Sequence, residues 1–383
     1  MIRAARGGLW ISVSLVLISF GCSDSSLGPR LPALDEDFFD SLFNGLSPRY
    51  NYTDGETRVL GHIARVSPAG MRPWQESMGV TDSQNSRLIN QSSVFRVGSI
   101  TKVFTATMIL QLWEEGLVDL DAPFNDYLEL DEATHPTIPE FAGVTVRHLL
   151  SHRSGIPAIS STSFFDVYDY QDQVTQSERM RFLFSEGQPE FVAASQYAYR
   201  NSNFNILGLI IEKVTGTSYQ NVLQERICSP LGLPQTWVLD LGISPNDNRM
   251  AQGYFQGFPG TRYHGSHAWA AGGIVSDVYD LTLFMKALVG GRLFQDPSTF
   301  TAMISPVAGS HYGLGMFIRE TPEGVSYGHG GGIFGYYAEL EYLPALQTVV
   351  AATFNFSGID FIVTNWWDDF YIPALQEISE SLD

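Results

Sequence analysis

Ser99 and Lys102 stand three residues apart in the segment Phe95-Arg-Val-Gly-Ser99-Ile-Thr-Lys102-Val-Phe-Thr-Ala106. The apolar spacing that follows predicts an amphipathic helix over residues 100–115, ended by Gly116. At that separation the two side chains share one face, one turn apart. An amine held beside a hydroxyl can take its proton and leave a nucleophilic oxygen. Only three of the 22 basic residues are lysines (Lys102, Lys213 and Lys286), and of these Lys102 alone has a serine three positions before it. A serine here also has a plainer reading, as a cap on the helix. Chemistry needs three further parts: a second proton-handling group, amide donors for an oxyanion, and a wall for the substrate.

Two later segments supply candidates. Gln196-Tyr-Ala-Tyr199-Arg-Asn201-Ser-Asn-Phe204 offers a phenol at Tyr199 and an amide at Asn201 from one short loop. Tyr327-Gly-His329-Gly-Gly331-Gly332 follows a histidine with three glycines, and a glycine backbone can approach a ligand closely. His329 is expected on the wall facing Ser99.

The order S-x-x-K, Y-x-N, H-x-G resembles the serine β-lactamase and penicillin-binding family, which holds class C β-lactamases, D-alanyl-D-alanine carboxypeptidases and related esterases. Two flanking segments extend the likeness. Leu149-Leu-Ser-His-Arg-Ser-Gly155-Ile-Pro157 is similar to the family's L-L-x-H-x-S-G-L-P, and Ala271-Gly-Gly-Ile-Val-Ser276 to its A-G-G-L-x-S. The likeness runs over roughly residues 55–360. It implies an acyl-enzyme at Ser99, with Lys102 and Tyr199 as the groups that move its proton. Which of the two takes the proton first stays open. Since a phenol is a poor base at its free pKa of about 10, a Lys102 cation would have to lower that of Tyr199. The likeness further implies that Asn201, His329, Gly331 and Gly332 meet the substrate, the amides of Ser99 and Gly332 forming the oxyanion site. His152, Arg153 and Ser154 are expected to hold a loop beside the site. Neither a cofactor nor a metal is implied.

The third motif departs from the lactamase form. Where class C enzymes carry Lys-Thr-Gly, this chain carries His329-Gly330-Gly331, without the permanent cation or the hydroxyl that would engage a substrate carboxylate. That favours a carboxypeptidase-like or esterase-like hydrolase of an amide or ester. A β-lactamase, or a penicillin-binding sensor without turnover, are the alternatives. Arg200 either restores a positive charge near the cleft or points to solvent.

The elements that must position these residues follow from periodicity. Strand-like runs at Arg58–Val66 and Ser93–Val97 precede the helix, and β-rich runs at Tyr336–Tyr342 and Thr348–Phe356 come late, joined by Pro344-Ala-Leu-Gln347. Between them lie a mixed stretch near 120–200 broken by prolines, then helices capped by Ser202, Ser218 and Ser276. A final helix is expected from Phe361 to Leu382, interrupted near Pro373. This predicts an α+β or α/β fold: an antiparallel sheet built from both ends of the chain and flanked by helices, with an inserted, mostly helical part. The expected parts are about 51–98 and 270–383 for the sheet and 99–269 for the helices, with the site at their junction.

The 383 residues suit such a body, and a net charge of −19 argues against nucleic acid or an anionic lipid surface as partner. A small molecule or a peptide is the expected substrate. Residues 1–21 read as an export signal: Arg3 and Arg6, then an apolar run from Leu9 to Phe20 that is shorter than a membrane span. Ser19-Phe-Gly21-Cys22 resembles a bacterial lipoprotein signal, with Cys22 the lipidated residue, although Ser19 stands where that pattern prefers an aliphatic side chain. The chain is therefore expected in the cell envelope, tethered through residues 22–50, with the hydrolase body over 51–383. Cys228, the other cysteine, reads as a small buried hydrophobe.

Overall fold

The computed structural model describes residues 31–46, 51–53, 57–59, 61–82, 87–128, 138–158, 172–186, 188–239, 249–255, 258–357 and 366–382. The expected export signal, Cys22 and the first residues of the expected last helix lie outside these. Six strands form an antiparallel sheet: β1 (His62–Pro68), β2 (Trp74–Met78), β3 (Phe317–Thr321), β4 (Gly324–Ile333), β5 (Tyr336–Leu343) and β6 (Thr348–Phe354). Their order is β3-β4-β5-β6-β1-β2, so the sheet joins both ends of the chain, as expected. β6 lies in its middle, and all seven of its residues are buried. A run of β-branched and small residues can pack on both sides of a sheet in this way.

Alternation along the strands separates two cores. Ile63, Ala338, Leu340, Val349 and Ala351 face a large core shared with α2 (Thr101–Glu114), α3 (Asn201–Thr215) and α4 (Val278–Val289). Ala64, Val66, Tyr337, Val350 and Phe354 face a second core, covered by α1 (Glu36–Leu46) and α5 (Ile372–Leu382). The expected tether is therefore shorter than residues 22–50, because Phe39, Phe43 and Leu46 of α1 are completely buried. A π-helical turn at Trp367–Tyr371 runs without a break into α5 beside Pro373, the kind of bulge that accommodates a residue with no N–H to donate.

α2 departs from its expected amphipathic form. Every residue from Thr101 to Leu110 is buried, so the helix is enclosed on all sides. Phe104 stacks on Phe284 of α4 at a ring separation of 3.7 Å. Two expected caps move by one or two residues: Arg200 rather than Ser202 precedes α3, and Asp277 rather than Ser276 caps α4, accepting the Asp280 amide. Ser218 caps its helix as expected. Cys228 is buried, and its thiol is pushed up to about 12 by loss of water.

A small three-stranded sheet brings the site's segments together. Ile274–Ser276 pairs with Phe95–Arg96 on one side and Trp237–Val238 on the other. The Val97 amide donates to the Ile274 carbonyl (3.0 Å), and the Thr101 hydroxyl accepts the Ile274 amide (3.1 Å). These contacts fix the start of α2 against Ala271-Gly-Gly.

Candidate active site

Ser99 sits in a 3₁₀ turn, Gly98–Ile100, that leads directly into α2. No side chain caps the helix there, so the plain reading of Ser99 as a cap does not describe its contacts. Its hydroxyl lies 3.0 Å from Lys102 Nζ. Lys102 Nζ also donates to Asn201 Oδ1 (2.8 Å) and to the Ala271 carbonyl (2.7 Å). Those two oxygens can only accept, so they fix two N–H bonds and leave the third direction of the amine on Ser99. Lys102 is completely buried, and loss of water pushes its pKa well down, toward the neutral amine. In that form the nitrogen lone pair faces the Ser99 hydroxyl. Because Asn201 Oδ1 is taken by Lys102, the Asn201 NH₂ group remains available as a donor.

Tyr199 stands on the other side of Lys102, whose Nζ lies 4.9 Å from the centre of its ring. The Tyr199 hydroxyl is buried and faces the Ser99 hydroxyl, which favours its ionised form, although the contact falls short of a well-formed hydrogen bond. Desolvation dominates and raises the phenol well above its ordinary value, so the expected lowering by a Lys102 cation does not occur. Burial disfavours charge on both groups, the ammonium of Lys102 and the phenolate of Tyr199. The ring is held by His152 (4.3 Å), whose Nδ1 accepts the Arg200 amide (3.2 Å) and meets the Asn203 side-chain amide (3.1 Å). His152 thereby joins the segment 149–157 to the loop that carries Tyr199. Arg200 lies outside this group. It pairs with Glu190 at 2.7 Å and brings no free cation to the cleft.

His329, expected on the substrate wall, lies instead behind Tyr199. It is 1% exposed, its Nδ1 meets the Gly330 carbonyl and its Nε2 the Tyr312 hydroxyl (3.3 Å). Burial, with Lys102 nearby, pushes its pKa well below the usual imidazole range, so it packs as a neutral ring. His329 shares the face of β4 that carries Gly331, and Tyr199, Tyr312 and Phe317 pack around its ring and enclose it.

The glycines of this strand have different neighbours. A Cβ on Gly331 would stand 1.9 Å from the Val97 carbonyl oxygen and 3.1 Å from the Ser99 nitrogen. Gly98, at φ +51°, meets the Gly332 nitrogen just as closely, a Cβ there coming within 2.9 Å. Two backbones thus lie in direct contact and bring the amides of Ser99 and Gly332 to the same place. Gly330 points the other way. Its Cβ would stand 2.8 Å from Glu339 Oε1, on the face of the sheet away from Ser99. The absence of a side chain at Gly330 therefore makes room for Glu339 and does not open the substrate site. Glu339 and Glu341 are both buried and share one arginine, Arg319, which donates to Glu341. Two carboxyls against one cation leave a surplus negative charge, and burial pushes both up, Glu341 to about 7.

A cavity of about 450 Å³ opens beside this group. Ser99, Asn201, Ala271, Gly272 and Gly332 line it, whereas Lys102 and His329 are buried and Tyr199 is partly exposed. The opposite side holds residues that the sequence did not single out: Phe255, Tyr263, His267, Ile333 and Phe334. His267 stands four residues before Ala271-Gly-Gly, the one signal in the sequence that could have found it. Desolvation is the largest influence on it and lowers it to about 4, so the ring in the cavity is neutral. Among the described residues no group of three or more His, Cys, Asp or Glu could hold a metal ion.

Comparison with known proteins gives the family and supports the fold. The chain is 27% identical over 320 residues to penicillin-binding protein 4* of Bacillus subtilis, covering 78% of this chain and 69% of that protein. It is 27% identical over 249 residues to the esterase EstB of Burkholderia gladioli, covering 61% of this chain and 59% of that protein. The aligned region thus spans about two thirds of the length of these relatives. The crystal structure of the D-amino acid amidase of Ochrobactrum anthropi superposes with a TM-score of 0.75 at 27% identity, covering 90% of this chain and all of that one. The Beta-lactamase family model matches residues 50–368, and the chain belongs to that family.

Proposed function

We propose that this protein is a serine hydrolase that forms an acyl-enzyme at Ser99 and hydrolyses a carboxylic ester or an amide. The observation that carries the reading is Lys102 Nζ, buried and 3.0 Å from the Ser99 hydroxyl, with its other hydrogens committed to carbonyl oxygens. In this reading Ser99 Oγ attacks the substrate carbonyl and its proton passes to Lys102. The amides of Ser99 and Gly332 hold the oxyanion, and the Asn201 amide donates to the acyl side. The leaving group takes a proton from Tyr199 or Lys102. Water then repeats the cycle on the acyl ester and releases the acid. Relatives named as an esterase and an amidase support both bond types.

Treatment with a fluorescent penicillin, nitrocefin and p-nitrophenyl acetate, beside Ser99→Ala, tests the reading. Ester turnover that falls at least 10³-fold in the variant is expected. Equal turnover in both proteins, with no label in either, overturns the acyl-serine. Fast nitrocefin hydrolysis identifies a β-lactamase, and stable labelling without turnover of any ester a sensor. The same proposal places the chain in the bacterial envelope, exported by residues 1–21 and lipidated at Cys22. Mass spectrometry of the mature amino terminus in the native host checks this, and an unmodified terminus at any other residue removes it.

A further inference from the structure

The side of the cavity facing Ser99 is a continuous series of rings. Phe255 meets Phe334 edge to face at 5.3 Å, Phe334 meets Tyr263 at 4.8 Å, and Tyr263 meets His267 at 5.0 Å. Phe334 forms the tip of the β4–β5 hairpin, next to Gly335 at φ +80°, and is 40% exposed. One exposed ring is ordinary at a protein surface, but here it continues the rings that line the cavity.

The wall is also built rather than incidental. Arg96 is 3% exposed, and its guanidinium donates to the carbonyls of Tyr263 (2.6 Å) and Thr261 (2.9 Å), which fixes the loop carrying Tyr263. That loop packs on the hairpin tip so closely that a Cβ at Gly260 would stand 2.4 Å from the Phe334 carbonyl oxygen. Two distant segments are thus locked together with their rings turned to one space. His267 adds a flat, neutral imidazole to the floor of that space.

We propose that this wall is the acyl-group subsite, and that the substrate carries an aromatic ring one or two bonds from the scissile carbonyl. Flat rings fit between flat rings at offset or edge-on contact, and such pairs gain beyond the area they bury. A flexible alkyl chain of equal carbon number covers the same surface without that gain and loses more conformational freedom. The inference rests on the acyl-serine reading for its chemistry and on the rings alone for its specificity.

The two are tested separately. Binding of phenylacetamide and octanamide, which have equal carbon number, to the Ser99→Ala protein, by calorimetry, reads the subsite without any covalent step. Phenylacetamide is expected to bind roughly tenfold more tightly, and Phe334→Ala added to Ser99→Ala is expected to remove most of that difference. In the wild type, kcat/KM for p-nitrophenyl phenylacetate over p-nitrophenyl octanoate is expected to exceed unity by a similar factor and to fall toward one in Phe334→Ala. Phe255→Leu, which keeps apolar volume but removes a ring, is expected to give an intermediate ratio. Equal binding of the two amides, or a preference that survives both substitutions, overturns the subsite whatever the fate of the acyl-serine. A ring preference in binding without Ser99-dependent turnover keeps the subsite and removes the chemistry.

Discussion

Lys102→Met is expected to lower kcat/KM for an ester by about three orders of magnitude, with the protein still folded. The substitution keeps an unbranched side chain of similar length in a completely buried position. It removes the single nitrogen that faces the Ser99 hydroxyl at 3.0 Å. A positioned base contributes roughly 10²–10⁴ to rate, and loss of the contact that orients Asn201 adds to the effect. The pH dependence carries a second signature. Burial depresses the native pKa of Lys102 while the unfolded chain keeps an ordinary lysine near 10.5. Wild-type activity should therefore fall on the acid side as Lys102 takes a proton. Stability should fall with it: between the depressed native value and about 10.5 the unfolded state binds the extra proton, so this group's contribution grows as pH rises. The wild-type melting temperature minus that of Lys102→Met should accordingly increase from pH 7 to pH 10. Thermal melts and a pH–rate profile of both proteins check this. A variant with more than a tenth of wild-type kcat/KM, or a difference curve that declines with pH, would remove Lys102 as the neutral base.

Gly331→Ala should be nearly as damaging, and for a different reason. The new methyl group meets the Val97 carbonyl at 1.9 Å and the Ser99 nitrogen at 3.1 Å, and both are backbone atoms that have no rotamer to change. β4 must move away from the start of α2, which separates the two amides. A drop in kcat of about 10²–10³, comparable to the loss of one oxyanion donor, is expected, with a destabilisation of about 1–3 kcal/mol from overpacking. Gly330→Ala is the control. It meets the Glu339 side chain on the opposite face, so it should cost stability with a much smaller loss of kcat. Steady-state kinetics and denaturant titrations of the two variants decide the matter. Equal kcat values for them would show that the contact between the backbones has no part in turnover.

The readable parts of this molecule are those encoded over a few residues. Ser99 and Lys102 are one helical turn apart in any helix, and Tyr199 and Asn201 share a loop that could be recognised whole. The sheet from both ends was legible because β5 and β6 are apolar, β-rich runs. Their alternation was less so, and it decides that Gly330 faces Glu339 while Gly331 faces Ser99. Register across strands is a tertiary property that one strand's sequence does not contain. The charge states were misread for a related reason. Lys102 looked like a cation that would acidify Tyr199, but enclosure of α2 on all sides removes the water that would stabilise either charge. The ring wall had no local signature, since Phe255, Tyr263 and Phe334 meet only through the packing of Gly260 on the hairpin tip.

The sheet order also governs when the protein becomes able to act. β1 and β2 are made early, but their neighbour β6 and the strand bearing Gly332 come from the last quarter of the chain. Closing such distant pairings is slow compared with forming α2. A chain still being made therefore has residues 99–102 long before it has the core that buries Lys102, or the second amide. Until the sheet and core close, water reaches the Lys102 amine and no second amide stands beside Ser99, so the site exists only in the completed fold.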